Sequence, residues 1–112
     1  MTEQAEISAV LVALADQTRR QLLDVLVAEG TASATTLAGE LPVSRQAVIK
    51  HLNVLTDAGL VESGRVGREV RYRVLPSRLD ASARWLAELA ATWDRRLNSL
   101  KRLAEAAEDQ PR

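Results

Sequence analysis

The fold of this chain is decided by residues 41–60, which read LPVSRQAVIKHLNVLTDAGL. Pro42 ends one helical pattern, because a proline disfavours the helical conformation in the residue before it. Ser44 is a good N-cap and Gly59 a good C-terminal cap, which predicts a helix of about four turns between them. At roughly 100° per residue, Val48, Leu52 and Leu55 fall on one face of this helix.

The opposite face of the predicted helix is rich in side chains that can hydrogen-bond. It carries Gln46, Ile49, Lys50, Asn53 and Asp57. A helix with an apolar back and a donor-rich front, starting just after a tight turn, is typical of a reader of the DNA major groove. An ordinary amphipathic surface helix would show the same pattern, so the flanking segments must decide between the two.

Composition narrows the class of protein. A chain of 112 residues predicts a single domain, and the absence of cysteine excludes disulfides and thiolate metal sites. No N-terminal signal pattern and no long apolar run is found, which predicts a cytoplasmic protein without a membrane partner. The net charge is zero, but residues 44–73 hold six basic against three acidic side chains. This positive segment would suit a phosphate backbone.

Three short helices are predicted around and before the turn. Asp16 can cap a helix that ends at Gly30, and Ser33 can cap the next one. The helix capped by Ser33 and the helix capped by Ser44 are joined by the short turn at Pro42. Residues 33–59 therefore form a predicted helix-turn-helix.

After Gly59 the apolar period changes from 3.6 to 2, which predicts a β-hairpin over residues 60–75 with a loop at 64–68. Val70, Tyr72 and Val74 would point to one side of the return strand, and Glu69, Arg71 and Arg73 to the other. A basic hairpin directly after a helix-turn-helix is interpreted as a wing that contacts DNA. A hairpin that only covers the core would explain the valines but not the arginines at the tip.

Two apolar helices flank this unit. Residues 78–108 contain no Gly or Pro and carry a heptad seam four repeats long, too long a stripe for a small domain to bury alone. A homodimer is therefore predicted, with residues 1–15 and 78–108 as dimerisation helices; a coiled coil with another protein is the alternative. The predicted contacts are Ile7, Val10, Leu11, Leu14, Leu86, Trp93, Leu97 and Leu100.

Three motifs resemble one family. Residues 13–23, ALADQTRRQLL, resemble the opening of ArsR/SmtB-type transcriptional regulators; residues 44–52, SRQAVIKHL, resemble that family's recognition helix, and residues 67–72, GREVRY, its wing. The resemblance implies a homodimer that binds operator DNA and usually represses transcription. Metal-sensing members carry a Cys-x-Cys pair where this chain has Ser33 and Thr35, and others use histidines of the last helix, which has none here. No metal site is therefore carried over.

The candidate DNA-binding residues are Ser44, Arg45, Gln46, Ile49, Lys50, His51 and Asn53 of the helix and Arg65, Arg68 and Arg71 of the wing. Arg45 can bond to guanine and Gln46 to adenine, although Arg45 sits toward the flank and is also placed to bind phosphate. Ile49 stands where the family often has Ser or Thr, and can touch a thymine methyl group instead. His51 lies on the inward face and is interpreted as a packed or phosphate-contacting residue rather than a metal ligand.

The sequence thus predicts a mainly α fold with a small β-hairpin: one winged helix-turn-helix domain with N- and C-terminal dimerisation helices. The predicted function is a homodimeric, sequence-specific DNA-binding regulator, with repression favoured, no cofactor and an unspecified effector. An enzyme is not expected, because the chain lacks a Gly-rich phosphate loop, a cysteine nucleophile and a second histidine. Two alternatives stay open: a metal-responsive regulator with carboxylate or His51 ligands, and a winged-helix assembly module that does not bind DNA.

Overall fold

A computed structural model of the chain describes residues 2–109. Its elements are α1 (Glu3–Leu14), α2 (Gln17–Glu29), β1 (Ala32–Ser33), α3 (Ala34–Glu40), α4 (Arg45–Asp57), β2 (Val61–Val66), β3 (Glu69–Val74) and α5 (Pro76–Asp109). The chain divides into two units, the first ending at Ser82 and the second comprising α5 from Ala83 onward. The predicted mainly α fold with a helix-turn-helix and a β-hairpin is confirmed.

Side-chain caps begin the helices of the first unit. Asp16, Ser33 and Ser44 each accept a hydrogen bond from the backbone N–H three residues later, at 3.0, 3.2 and 3.1 Å. These N–H groups have no partner inside the helix, so a cap stabilises each helix by typically about 1 kcal/mol. The caps predicted at these three positions are confirmed.

The corner between α1 and α2 explains why two arginines follow Asp16 so closely. The last carbonyls of α1 have no partner within that helix. Arg19 Nε donates to the carbonyl of Ala13 at 2.7 Å, and Arg19 Nη2 donates to that of Val12 at 3.2 Å. Arg20 Nη1 donates to the carbonyl of Leu14. The motif of residues 13–23 therefore ends one helix and begins the next.

The hairpin belongs to a three-stranded antiparallel sheet of order β1-β3-β2. The sequence prediction missed β1, which places Ala32 opposite Tyr72 and Ser33 opposite Arg71. The predicted loop was too long, because β2 and β3 stay paired as far as Val66 and Glu69. Only two residues remain in the loop, and the first, Gly67, has a φ of 64°. This suits a two-residue hairpin turn with glycine first.

The core of the first unit forms around the back of α4. Val48, Leu52 and Leu55 are all fully buried, which confirms the apolar face predicted from their spacing. They pack in one cluster with residues from α2, α3 and the sheet, among them Leu22, Leu26, Leu37 and Val61. This burial fixes which side of α4 faces outward.

The apolar stripe of α1 is divided between the core and the surface. Val10 is 0% exposed and belongs to the core cluster, and Ile7 is 4% exposed. Because nearly all of their surface is buried within one chain, Ile7 and Val10 offer little to a partner, and our dimer proposal does not rest on them. Leu11 keeps 37% of its surface exposed, while Leu14 is half-buried against the core.

Arg78, in the first turn of α5, holds the end of α4. Its Nη1 donates to the carbonyl of Ala58 at 3.1 Å, and its Nη2 lies 3.7 Å from a carboxylate oxygen of Glu6 in α1. The side chain passes so close to Gly59 that a Cβ there would lie 2.5 Å from Arg78 Nη1. Gly59 also has a φ of 75°, which side chains other than glycine rarely adopt.

Replacing Gly59 by alanine should therefore lower the free energy of unfolding by at least about 1 kcal/mol, because the change adds both strain and a clash. Gly39→Ala is the matched control: Gly39 lies in helix α3 with nothing within 4 Å of its Cβ position, so this change should raise stability by up to about 1 kcal/mol. Urea unfolding at equal protein concentration measures both. Equal effects of the two substitutions would contradict the strain and the clash assigned to Gly59.

Candidate nucleic-acid interface

The outward face of α4 presents three polar side chains in a row. Gln46, Lys50 and Asn53 follow one another at steps of four and three residues, and all three are exposed. Within residues 2–109 these side chains make no hydrogen bond or ion pair that would occupy their donors and acceptors. The fully buried back of the same helix holds them in place, so they are available to a partner molecule.

Three other predicted contacts, in or next to α4, have different surroundings. Arg45 Nε donates to Oγ1 of Thr35 in α3 at 3.2 Å, which draws the guanidinium toward α3. Ile49, one turn later, is half-buried and packs against the core. Ser44 uses its hydroxyl oxygen as the cap of α4. The structure therefore separates Arg45 and Ile49 from the row formed by Gln46, Lys50 and Asn53.

His51 is half-buried and lies near Asp16, the cap of α2. The pKa of the Asp16 carboxyl is lowered, first by the hydrogen bond from the Arg19 backbone and then by the nearby charges of Arg19 and His51, against the opposing effect of desolvation. His51 thus has one carboxylate in its neighbourhood. Within residues 2–109 no group of three or more His, Cys, Asp or Glu side chains is arranged to hold a metal ion.

The three predicted arginines of the wing divide into one that is bonded and two that are exposed. Arg71 Nε donates to Thr31 Oγ1 at 2.9 Å, Nη2 to the carbonyl of Thr31 at 3.1 Å, and Nη1 to Glu69 Oε2 at 3.1 Å. Its guanidinium therefore ties the wing to the segment that precedes α3. Arg65 and Arg68 are exposed and have no ion pair within the described part of the chain.

Sequence reasoning missed two threonines that position these arginines. Thr31 binds Arg71 and Thr35 binds Arg45, in both cases through the threonine hydroxyl. The Thr31 contact depends on the pairing of β1 with β3, which joins residues 40 apart in sequence. No local pattern in the sequence marks either threonine.

The second unit is a single stretch of helix with an apolar stripe. Leu86, Trp93, Leu97 and Leu100 are 47%, 60%, 48% and 62% exposed. So large an exposed apolar stripe usually marks a contact with another molecule. Every helix within residues 2–109 is too short or too polar to span a membrane.

Known proteins resemble this chain over most of its length. A family model described as a helix-turn-helix domain matches residues 14–64. The HTH-type transcriptional regulator Rv2034 of Mycobacterium tuberculosis is 38% identical over 97 residues, which are 87% of this chain and 87% of that protein. The transcriptional repressor SdpR of Bacillus subtilis is 31% identical over 77 residues, 69% of this chain and 84% of the repressor.

Solved structures give the same result. An ArsR-like transcriptional regulator from Rhodococcus sp. RHA1 superposes with a TM-score of 0.79 at 50% identity, over 90% of this chain and 94% of that one. The homodimeric winged helix-turn-helix DNA-binding domain of a possible ArsR-family regulator from Mycobacterium bovis superposes with a TM-score of 0.61 at 28% identity. That match covers 86% of this chain and 85% of the other.

Removing the guanidinium of Arg71 should loosen the wing, because the hydrogen bonds to Thr31 and the ion pair to Glu69 are lost together. Arg71→Ala is expected to speed hydrogen exchange at the backbone amides of β1 and β3. Arg68→Ala, which removes an arginine from the hairpin loop, should leave those rates unchanged. Equal rates in wild type and Arg71→Ala would show that Arg71 does not hold the wing.

Proposed function

The chain belongs to the ArsR-type winged helix-turn-helix transcriptional regulators, and on this premise we propose that it is a homodimer that binds a specific operator and represses transcription. The observation that carries the proposal is the row of Gln46, Lys50 and Asn53 on the outward face of α4. An α-helix fits the major groove, where the bases present distinct patterns of donors and acceptors. Three uncommitted polar side chains on a fixed helix suit that pattern.

Each member of the row has a suitable partner among the bases. Gln46 and Asn53 can each donate to N7 and accept from N6 of adenine, and Lys50 can donate to O6 and N7 of guanine. Gln46 lies in the first turn of α4, the end that usually contacts base edges in helix-turn-helix proteins. We therefore propose Gln46 as the principal base contact and Lys50 and Asn53 as further ones.

The dimer is proposed from the second unit. The exposed stripe of Leu86, Trp93, Leu97 and Leu100 follows heptad spacing, so the same helix of a second copy can cover it. Leu11 and Leu14 of α1 stay in the proposed contact set. A homodimeric relative of similar fold supports this assembly. Two reading helices in one dimer would bind two half-sites related by a twofold axis.

Repression is proposed because a relative that covers most of this chain is a transcriptional repressor. A protein that occupies DNA near a promoter can block transcription without any catalytic group, and the family consists of regulators. We keep the cytoplasmic location as a prediction that accompanies a DNA partner. The metal-responsive alternative has less support, since Asp16 and His51 supply two neighbouring groups where tetrahedral sites commonly use four ligands.

The test of base recognition is Gln46→Ala. If Gln46 contacts a base, the change should cost about 1–3 kcal/mol per half-site on the preferred operator and little on a scrambled duplex. Gln21→Ala, which removes an exposed glutamine from α2, serves as the matched control and should change neither affinity. Titrations of both duplexes measure the effect. Equal weakening of the two duplexes by Gln46→Ala would show that α4 does not read the bases.

The test of the dimer is the double substitution Leu97→Glu with Leu100→Glu. Four like charges placed in one seam should separate the subunits, giving monomers in sedimentation and a loss of operator binding. Asn98→Glu with Ser99→Glu adds the same charge to the opposite side of α5 and should stay dimeric. A Leu97, Leu100 double variant that remains a dimer would refute the proposed interface.

A further inference from the structure

We propose that the groove between α4 and the wing holds one phosphate of the DNA backbone, clamped between Arg45 and Arg68. This inference rests on the proposed function, since it assigns one DNA contact within it. The helix–wing groove has a volume of about 330 Å³. Thr35, Arg45 and Ile49 line one wall, and Arg68, Val70 and Tyr72 line the other.

Arg45 is turned into this groove by its hydrogen bond to Thr35. The guanidinium has five N–H donors, and the bond from Nε to Thr35 Oγ1 uses one of them. The other four are available to an anion. Arg45 lies on the flank of α4, one helical turn from Ile49. Its hydrogen bond to Thr35 draws it away from the row of Gln46, Lys50 and Asn53. Its position therefore suits a backbone contact better than a base contact.

The charge of the groove favours an anion. Arg68 occupies the second position of the hairpin loop, is exposed, and makes no ion pair within residues 2–109. Glu69 also lines the groove, but its carboxylate is paired with Arg71 at 3.1 Å. Two arginines thus remain without an acidic partner, one on each wall. Arginine is well suited to phosphate because its donors form a planar fork.

The other side chains of the groove offer few free donors or acceptors, because Ile49 and Val70 are apolar and the Thr35 hydroxyl accepts from Arg45. Ile49 and Tyr72 are half-buried and Val70 adds a third apolar surface. Both arginines are exposed, so their attraction to a phosphate is screened by salt and can be measured through its salt dependence. A backbone phosphate carries no sequence information, so this contact would position α4 on the duplex and leave base selection to Gln46.

Arg45→Ala separates a phosphate contact from a base contact. The change should weaken operator and scrambled duplex by the same factor and flatten the slope of log affinity against log salt. Each phosphate contributes about 0.9 to that slope, so losing the contact in both subunits should lower it by roughly 2. Because Arg68 still contacts the phosphate in Arg45→Ala, that variant should show part of this change, and the Arg45→Ala, Arg68→Ala double variant should show all of it. Lys101→Ala, which removes a charge from α5, is the control and should leave the slope unchanged.

A neutral methylphosphonate placed at one linkage at a time locates the phosphate. We expect one position per half-site at which the neutral linkage weakens wild type, weakens Arg45→Ala and Arg68→Ala less because each keeps one arginine, and has no effect on the Arg45→Ala, Arg68→Ala double variant. Thr35→Val, which keeps the side-chain shape but releases Arg45, should show a reduced effect at that same position. Inorganic phosphate alone, titrated by calorimetry, should give no saturable binding.

Four outcomes would overturn the clamp and leave the proposed function standing. Arg45→Ala could weaken the operator alone, which would make Arg45 a base reader. The neutral linkage whose effect is reduced in Arg45→Ala could differ from the one whose effect is reduced in Arg68→Ala, so that the two arginines share no phosphate. Each neutral linkage could weaken the variants as much as wild type, so that no phosphate depends on either arginine. Inorganic phosphate could also bind saturably, which would make the groove a site for free anions. In each of these cases Gln46→Ala still tests the proposed function separately. A wild-type protein that binds neither the operator nor the scrambled duplex would overturn both the clamp and the proposed function.

Discussion

The burial of the apolar back of α4 is the constraint on which the rest of the structure depends. Val48, Leu52 and Leu55 have no exposed surface, and burying a side chain of this kind contributes about 1.5–3 kcal/mol. Rotating α4 about its axis would return these side chains to water. The helix is therefore held in one orientation, and Gln46, Lys50 and Asn53 face outward as a consequence of packing.

Arginines complete this arrangement in two ways. Some are structural: Arg19 and Arg20 bind the last carbonyls of α1, Arg78 binds the end of α4, and Arg71 ties the wing to Thr31. Others, Arg65 and Arg68, keep their charge available. Within residues 44–73 the acidic Glu69 and Glu62 are paired with Arg71 and Arg73, so the excess positive charge of this segment lies on its other basic side chains.

The elements that the sequence predicted are those whose signals are local. The caps at Asp16, Ser33 and Ser44 and the apolar period of α4 each lie within a few turns of one helix, so they can be read without the fold. Strand β1 has two residues and depends on pairing with β3, which leaves no local pattern. The apolar period of α1 placed Val10 on the face that is buried, but did not show whether the chain's own core or a second subunit covers it. The charge of Arg71 did not reveal its partners.

The central claim, that a fixed helix in each of two identical subunits reads specific bases, is tested most directly by selecting bound duplexes from a randomised pool. We expect enrichment of an inverted repeat whose half-sites are centred one helical turn, roughly 10 base pairs, or a multiple of it apart. If the protein binds duplexes from the pool in a salt-dependent way but enriches no sequence, the claim is contradicted.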